Sequence, residues 1–261
     1  MLNKNYINAG NALNKYFDCA VMLTQSYWKT EGRKNRYFYA TRFARHLPVL
    51  FVQPDQKQKP YLFEESGYQN IDILHAYSKY TIEESFNTPF ELEEEACDML
   101  ERAILSRGFE APLLWSYNVH FSSFVFRHPE LFKVYHATED YFHSYFDVYK
   151  NAVRPKLKKL LSRTDLLVAV SEDVLSSQVV NGNYAGESLL LLNGVDYSIF
   201  APSRKELEYI INSYPRHNKI VLYQGGINRR LDFNLLEQLA DILPNWEFWF
   251  CGDDIYTPTE S

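Results

Sequence analysis

The chain has 261 residues, 46% of them hydrophobic and 16% aromatic, enough to pack one large domain or two smaller ones, which excludes disorder as its main state. Its 27 basic and 33 acidic side chains leave a formal charge of -6, so no global field draws it to nucleic acid or anionic lipid, and an anionic ligand has to be held locally. The first residues lack an apolar segment of signal-peptide length, and no run approaches the roughly 18 to 20 apolar residues of a membrane span. A cytoplasmic protein is the expectation, with peripheral contact at the inner face of a membrane left open.

From Asp18 the pattern alternates between strand and helix periods, the mark of an α/β domain. CAVML at 19–23 reads as a buried strand, Asn35 to His46 as a helix, and Val49 to Val52 as a second strand closed by Pro54. A polar loop rich in Gln and Lys follows, then strands near Ile71 to Leu74 and Leu113 to Trp115, separated by an acidic helix from about Phe90 to Arg107. That helix places Leu92, Ala96, Met99 or Leu100, and Ala103 on one face, and its glutamates read as a solvated face. Phe132 to His136 reads as a strand and Arg154 to Arg163 as a basic helix with Pro155 in its first turn. Leu166 to Val170 is a further strand, with Ser171 capping the helix after it. Cys19, Cys97 and Cys251 show no paired spacing and read as buried free thiols of a reducing compartment.

The turn signal Asn193-Gly194-Val195-Asp196 separates residues 1–194 from 195–261. Beyond it, Ile220 to Tyr223 reads as a strand, Gln224-Gly225-Gly226 as a tight turn, Asp232 to Leu243 as an amphipathic helix, and Trp246 to Phe250 as the next strand. One strand-helix-strand unit cannot build a sheet buried on both faces, so it leans on the preceding domain or opens something larger.

In open parallel sheets ligands sit outside the carboxyl ends of the strands, and three segments there are candidates. The loop after the first strand carries Trp28, Lys29 and Arg33, suited to a hydroxylated or phosphorylated ligand. The strand ending at His136 is followed by Glu139 and Asp140, which with His136 form a group for proton transfer or sugar-hydroxyl contact. The plain alternative is that His136 finishes the strand and Asp140 caps the next helix. His120 and His143 sit among aromatics and read as buried, satisfied imidazoles. The third segment is GGINRR: Gly225 and Gly226 let a backbone approach a diphosphate, the following helix offers amides, and Arg229 and Arg230 supply charge. It matches neither the dinucleotide fingerprint nor the phosphate loop. No metal-ligand cluster and no G-x-S-x-G elbow is evident.

VAVSEDVLSSQ, then LLLNGVDYSIF, then YQGGINRRLDFNLLEQLADILPNWEFWFCG resembles the order seen in glycosyltransferases of the GT-B fold, specifically the retaining group 1 or family 4 class. CAVMLTQSYW, RYFYATRFARHLPVLFVQP and VYHATEDYF agree with the branch that includes teichuronic-acid and exopolysaccharide glycosyltransferases. The resemblance implies an α/β chain with a Rossmann-like acceptor-side domain at 1–194 and the first strand-helix-strand of a Rossmann-like donor domain at 195–261. It implies a nucleoside diphosphate sugar as substrate, a glycan or lipid-linked envelope precursor as acceptor, retention of configuration, and no cofactor or metal. By the same resemblance Gly225, Gly226 and Arg230 face the donor diphosphate, His136, Glu139 and Asp140 face the acceptor and reacting sugar, and Asn193, Gly194 and Asp196 form a hinge. The turn lacks the lysine of the wider class. The glutamate-bearing donor motif of the class has no match before Ser261, so the chain reads as C-terminally truncated. A non-catalytic acceptor-binding module completed by a second chain is the competing expectation. A GT-B epimerase or phosphorylase is a third.

Overall fold

The computed structural model describes residues 13–31, 34–55, 62–77, 94–143, 147–213, 219–228 and 231–253, with backbone alone at 62 and 147–152. The chain divides into two units, Met1–Gly194 and Val195–Ser261.

In the first unit the described residues form an eight-stranded sheet, ordered β3-β4-β2-β1-β5-β6-β7-β8. The strands are β1 (Cys19–Leu23), β2 (Val49–Asp55), β3 (Leu62–Glu65), β4 (Ile71–Tyr77), β5 (Pro112–Ser116), β6 (Lys133–Ala137), β7 (Leu166–Ala169) and β8 (Glu187–Leu190). All neighbours are parallel except β3, which runs antiparallel to β4 at one edge. The helices are α1 (Trp28–Glu31), α2 (Asn35–Phe43), α3 (Glu94–Ser106), α4 (Ser122–Arg127), α5 (Asp147–Leu161) and α6 (Glu172–Val180).

β1 shows why the sheet is buried on both faces. Cys19, Val21 and Leu23 enter one apolar layer with Leu100 and Ala103 of α3, Phe124 of α4 and Leu157 of α5. Ala20 and Met22 enter the other with Trp28, Ala40 of α2, Phe51, Trp115 and Tyr117. Successive strand residues point to opposite faces, so an uninterrupted apolar run is what a strand covered on both sides requires.

One expectation changes here. α5 begins at Asp147, so Pro155 lies inside the helix, past the first turn where a missing N–H has no cost. The acidic helix is described only from Glu94, and its buried stripe is Ala96, Cys97, Leu100, Ala103 and Ile104. Phe90 and Leu92 lie outside the described residues. The edge strand β3 has no counterpart in the sequence reading, because LFEE is too short to show a period.

The second unit contains α7 (Tyr197–Phe200), α8 (Arg204–Ser213), β9 (Lys219–Gln224), α9 (Phe233–Ile242) and β10 (Trp246–Cys251). β9 and β10 pair in parallel as a two-stranded sheet. Asp196 caps α7 by accepting from Ser198 N at 3.2 Å. Cys251 is exposed, unlike Cys19 and Cys97, because the strand that carries it has no described cover. Among the described residues no helix is long and apolar enough to cross a membrane.

Candidate functional site

Strand order reverses at β1, where the chain first moves outward through β2 and β4 and then returns to β5 on the other side. The crevice such a sheet offers a ligand lies outside the carboxyl ends of the strands at that reversal. The loop leaving β1 is fastened to its neighbours there. Thr24 Oγ1 donates to Val52 O at 3.0 Å, and Trp28 N donates to Gln53 Oε1 at 2.9 Å.

Trp28, expected on the ligand side of this loop, points inward. Its indole N–H donates to Ser66 O at 3.0 Å, its ring packs edge-on to Phe51 at 5.2 Å, and it is 9% exposed. It anchors the loop and offers little surface to a ligand. Lys29 does face solvent and pairs with Glu64 at 2.9 Å. Glu64 in turn contacts His75 Nε2 at 3.1 Å, and His75 Nδ1 lies 3.2 Å from Asp55. Arg33 lies outside the described residues.

Beneath α2 the same edge holds a closed aromatic cage. His136 is fully buried, with Tyr39 at 4.7 Å, Tyr117 at 4.9 Å and Trp115 at 5.5 Å between ring centroids. Arg36 stacks over Tyr117 at 5.0 Å and is tied to the buried Glu31, whose Oε1 accepts from Arg36 N at 3.2 Å. Burial, and secondarily the Arg36 charge, push the His136 imidazolium pKa down to about 3, so it is neutral near neutral pH. Neither ring nitrogen has a hydrogen-bond partner. The grouping of His136 with Asp140 is therefore corrected: a residue that points into the sheet layer cannot share a solvent-facing site with the turn after the strand. His120 is also buried, and its pKa is pushed down to about 4 by burial and by Lys156.

The polar groups exposed beyond β6 are different ones. Glu139 is exposed. Asp140 caps its own turn, Oδ1 accepting from Phe142 N at 3.0 Å and His143 N at 3.3 Å, so it does not cap the next helix. Ser177 of α6 donates to the same oxygen at 2.7 Å. Asp140 Oδ2 meets His143 Nδ1 at 2.6 Å. Burial raises the Asp140 pKa, but the hydrogen bonds from Ser177, His143 and the Phe142 amide outweigh it and hold the carboxyl below its ordinary value. His143, read in sequence as buried, has a side chain 66% exposed. The missed signal was its spacing: a histidine three residues after an aspartate at a strand end can close an Asx-type turn with its ring on the carboxylate.

In the second unit the two carboxyl-end turns lie backbone against backbone. Gly225 N donates to Cys251 O at 3.0 Å and Ile227 N to Asp253 O at 2.9 Å. A Cβ on Gly252 would stand 1.9 Å from Gly225 O, so the close approach requires glycine there. The Gly225 amide is thus already used. One amide of the first turn of α9 is also used, because Asp232 Oδ1 accepts from Leu235 N at 3.0 Å. Gly226 remains at the turn, its carbonyl accepting from Tyr223 Oη at 3.2 Å. Arg229 and Arg230 lie outside the described residues. Among the described residues, no group of three or more His, Cys, Asp or Glu is placed to hold a metal.

No protein-family model matches the chain, and no curated protein matches it. Solved structures do. An α,α-trehalose-phosphate synthase (UDP-forming) from Burkholderia vietnamiensis superposes with a TM-score of 0.55 at 10% identity, over 93% of this chain and 66% of that one. The E. coli trehalose-6-phosphate structure bound with UDP-2-fluoro glucose superposes with a TM-score of 0.53 at 12% identity, over 88% of this chain and 64% of that one. This chain thus spans just under two thirds of the length of these structures. At such identity the likeness speaks for the fold, and the fold is α/β of the GT-B type.

Proposed function

We propose that the chain is a glycosyltransferase, or part of one, that moves a sugar from a nucleoside diphosphate sugar to a cell-envelope or extracellular polysaccharide precursor. The observation that carries this reading is the likeness of its fold, across nearly all of its length, to a UDP-forming synthase and to a structure holding a UDP-sugar analogue. A shared fold hosts many chemistries, so the residues must add support. The first unit offers hydroxyl-binding groups at the carboxyl edge of its sheet, namely Lys29, Glu139, Asp140 and His143. The second offers a glycine turn at the carboxyl end of β9.

In this reading the acceptor binds the first unit, and the donor diphosphate contacts Gly226 with Arg229 and Arg230. Gly225 and Gly252 shape that turn. Catalysis is electrostatic: cationic groups stabilise the departing diphosphate while the acceptor oxygen attacks, with retention of configuration. No metal or cofactor is invoked, since the arginines take that part, and the protein works in the cytoplasm or at the inner face of the membrane. Calorimetric titration of the whole chain with UDP tests the reading. Saturable one-to-one binding that Arg230→Ala weakens is expected, and no heat of binding to the unaltered chain sinks it.

A second reading has an observation of its own. β9 and β10 form a parallel pair with no third strand among the described residues, and Leu222, Trp249, Phe250, Leu235 and Ile242 are exposed. An apolar groove of about 360 Å³ lies between α9 and β10, lined by Phe233, Leu236, Ala240, Phe248 and Phe250. Parallel sheets are stable when covered on both faces, so this favours a non-catalytic acceptor-binding module whose donor half is completed by a second chain. UDP binding by the isolated chain separates the two readings.

A further inference from the structure

We propose that the amino end of the first unit's sheet is a docking surface for a basic amphipathic segment of a partner protein. The surface lies where β1, β5 and β6 begin, at the opposite end of these strands from the candidate site, and the proposal does not depend on the glycosyltransferase reading.

Two adjoining cavities, of about 450 and about 120 Å³, open there, and Pro112, Glu130 and Leu131 line both. Tyr16, Phe17 and Phe132 wall the larger one, with 5.8 Å between the ring centroids of Phe17 and Phe132. Tyr16 is 72% exposed, and Leu105, at the smaller cavity, is 56% exposed. The backbone beneath is fixed in place. Asp18 Oδ2 accepts from Ala111 N at 2.8 Å, and Asp18 N donates to Ala111 O at 3.2 Å. β1, β5 and β6 each have a strand at both edges, so this apolar surface is not a strand face still waiting for its sheet, as in the second unit. An aromatic patch left open on a completed layer marks an interaction site.

Charge selects the occupant. Glu130 borders both cavities, Glu101 and Glu110 border the smaller, and among the described residues no lysine or arginine lines either. The cations nearby are engaged elsewhere: Lys133 is buried with Asp165 at 3.2 Å, and Arg127 lies closer to Asp98 than to Glu101. His128 meets Glu130 at 3.1 Å. Aromatic faces and carboxylates both attract an ammonium or guanidinium group, whereas the same carboxylates repel anionic lipid and nucleic acid. A lysine or arginine lays its apolar stem along such walls while its charged head stays at the rim. Two cavities ringed by exposed side chains suit an extended segment better than a single enclosed molecule.

The test uses the whole chain and two fluorescent probes, an amphipathic helical peptide of leucine and lysine and the same peptide with glutamate for lysine. Fluorescence anisotropy is expected to show saturable binding of the lysine peptide alone, weakened by added salt. Glu110→Gln combined with Glu130→Gln should lower its affinity about three- to tenfold, and Tyr16→Ala about two- to fivefold. Equal binding of both peptides, an affinity that neither variant lowers, or no binding overturns the proposal. Butylammonium bound as tightly as the peptide would make the surface a pocket for a small amine, and a dimer that Tyr16→Ala dissociates would make its occupant a second copy. Either result also overturns it.

Discussion

The two units of this chain use the same alternation of strand and helix and reach opposite outcomes. In the first, β4, β2, β1, β5, β6 and β7 each have a strand on both sides and contribute side chains that are fully buried. In the second, no described residue is buried at all, although IVLY within β9 and FWFC within β10 are apolar runs like CAVML. The difference is the number of neighbours. A parallel strand is covered when strands stand at both its edges and helices on both its faces, and β9 and β10 have one strand neighbour each among the described residues. Apolar sequence alone therefore does not make a core. It makes a surface that a core would use.

The largest expected effect breaks the comparison in acid. The buried imidazoles of His136 and His120 are held neutral by desolvation, with pKa values pushed down to about 3 and about 4, while an unfolded histidine titrates near 6.5. The sign follows. Above about pH 6.5 neither state takes up a proton and the native state loses nothing. As pH falls below that, the unfolded chain binds protons that the folded one refuses, so stability declines until the folded pKa is reached. Each imidazole removes on the order of 2 kcal/mol by about pH 4.5. Denaturant unfolding followed by the near-ultraviolet signal should show this loss in the first unit. His136→Phe should remove about half of it while costing little at pH 7, because neither imidazole nitrogen has a partner to lose. A pH dependence unaltered by His136→Phe would show that the ring is solvated in solution.

How much was legible in advance divides along the same line. β1, β2, β4, β5, β6 and β7, the Ser171 cap and the glycine turn were readable because they depend on neighbours in sequence. Ser171 accepts from Val174 N at 3.2 Å, as its place before Glu172 and Asp173 suggests. What sequence could not show is which way a side chain points once the sheet is assembled. Trp28 and His136 both look like site residues beside polar ones, yet packing against Phe51 and against Tyr39, Trp115 and Tyr117 turns them inward. His143 looks like a core residue between aromatics, yet its hydrogen bond to Asp140 turns it out. The aromatic neighbours in sequence were poor guides because the cage around His136 is built from α2, β5 and the turn after it, far from it in the chain.

A second, smaller effect sharpens the contrast from the side of the second unit. Gly252→Ala sets a methyl group 1.9 Å from Gly225 O, a clash with backbone that no rotamer relieves, and overpacking of this kind costs about 1 to 3 kcal/mol. Because β9 and β10 share their contacts mainly with each other, the loss should stay local. Hydrogen exchange is expected to quicken tenfold or more at β9 and β10 amides and to stay unchanged at β1, β5 and β6. Faster exchange throughout would mean that the units unfold together.

The smallest effect concerns what the second unit can bind. Ser171 caps α6 with a neutral hydroxyl, whereas Asp232 caps α9 with a carboxylate, and a negative charge at a helix N-terminus already neutralises the end of the dipole that an anion would use. If the donor diphosphate lies at the start of α9, that carboxylate opposes it. Asp232→Asn keeps a side-chain oxygen for the Leu235 amide, since asparagine caps as well as aspartate, and removes the charge. UDP affinity should then rise by roughly two- to fivefold, the 0.3 to 1 kcal/mol that a charge near a helix end is worth, and the gain should shrink as salt is added. An affinity indifferent to Asp232→Asn would place the diphosphate away from the helix, on the Gly226 turn and the arginines alone. The glycines would then matter for how closely the backbone approaches the ligand, and the helix dipole would not.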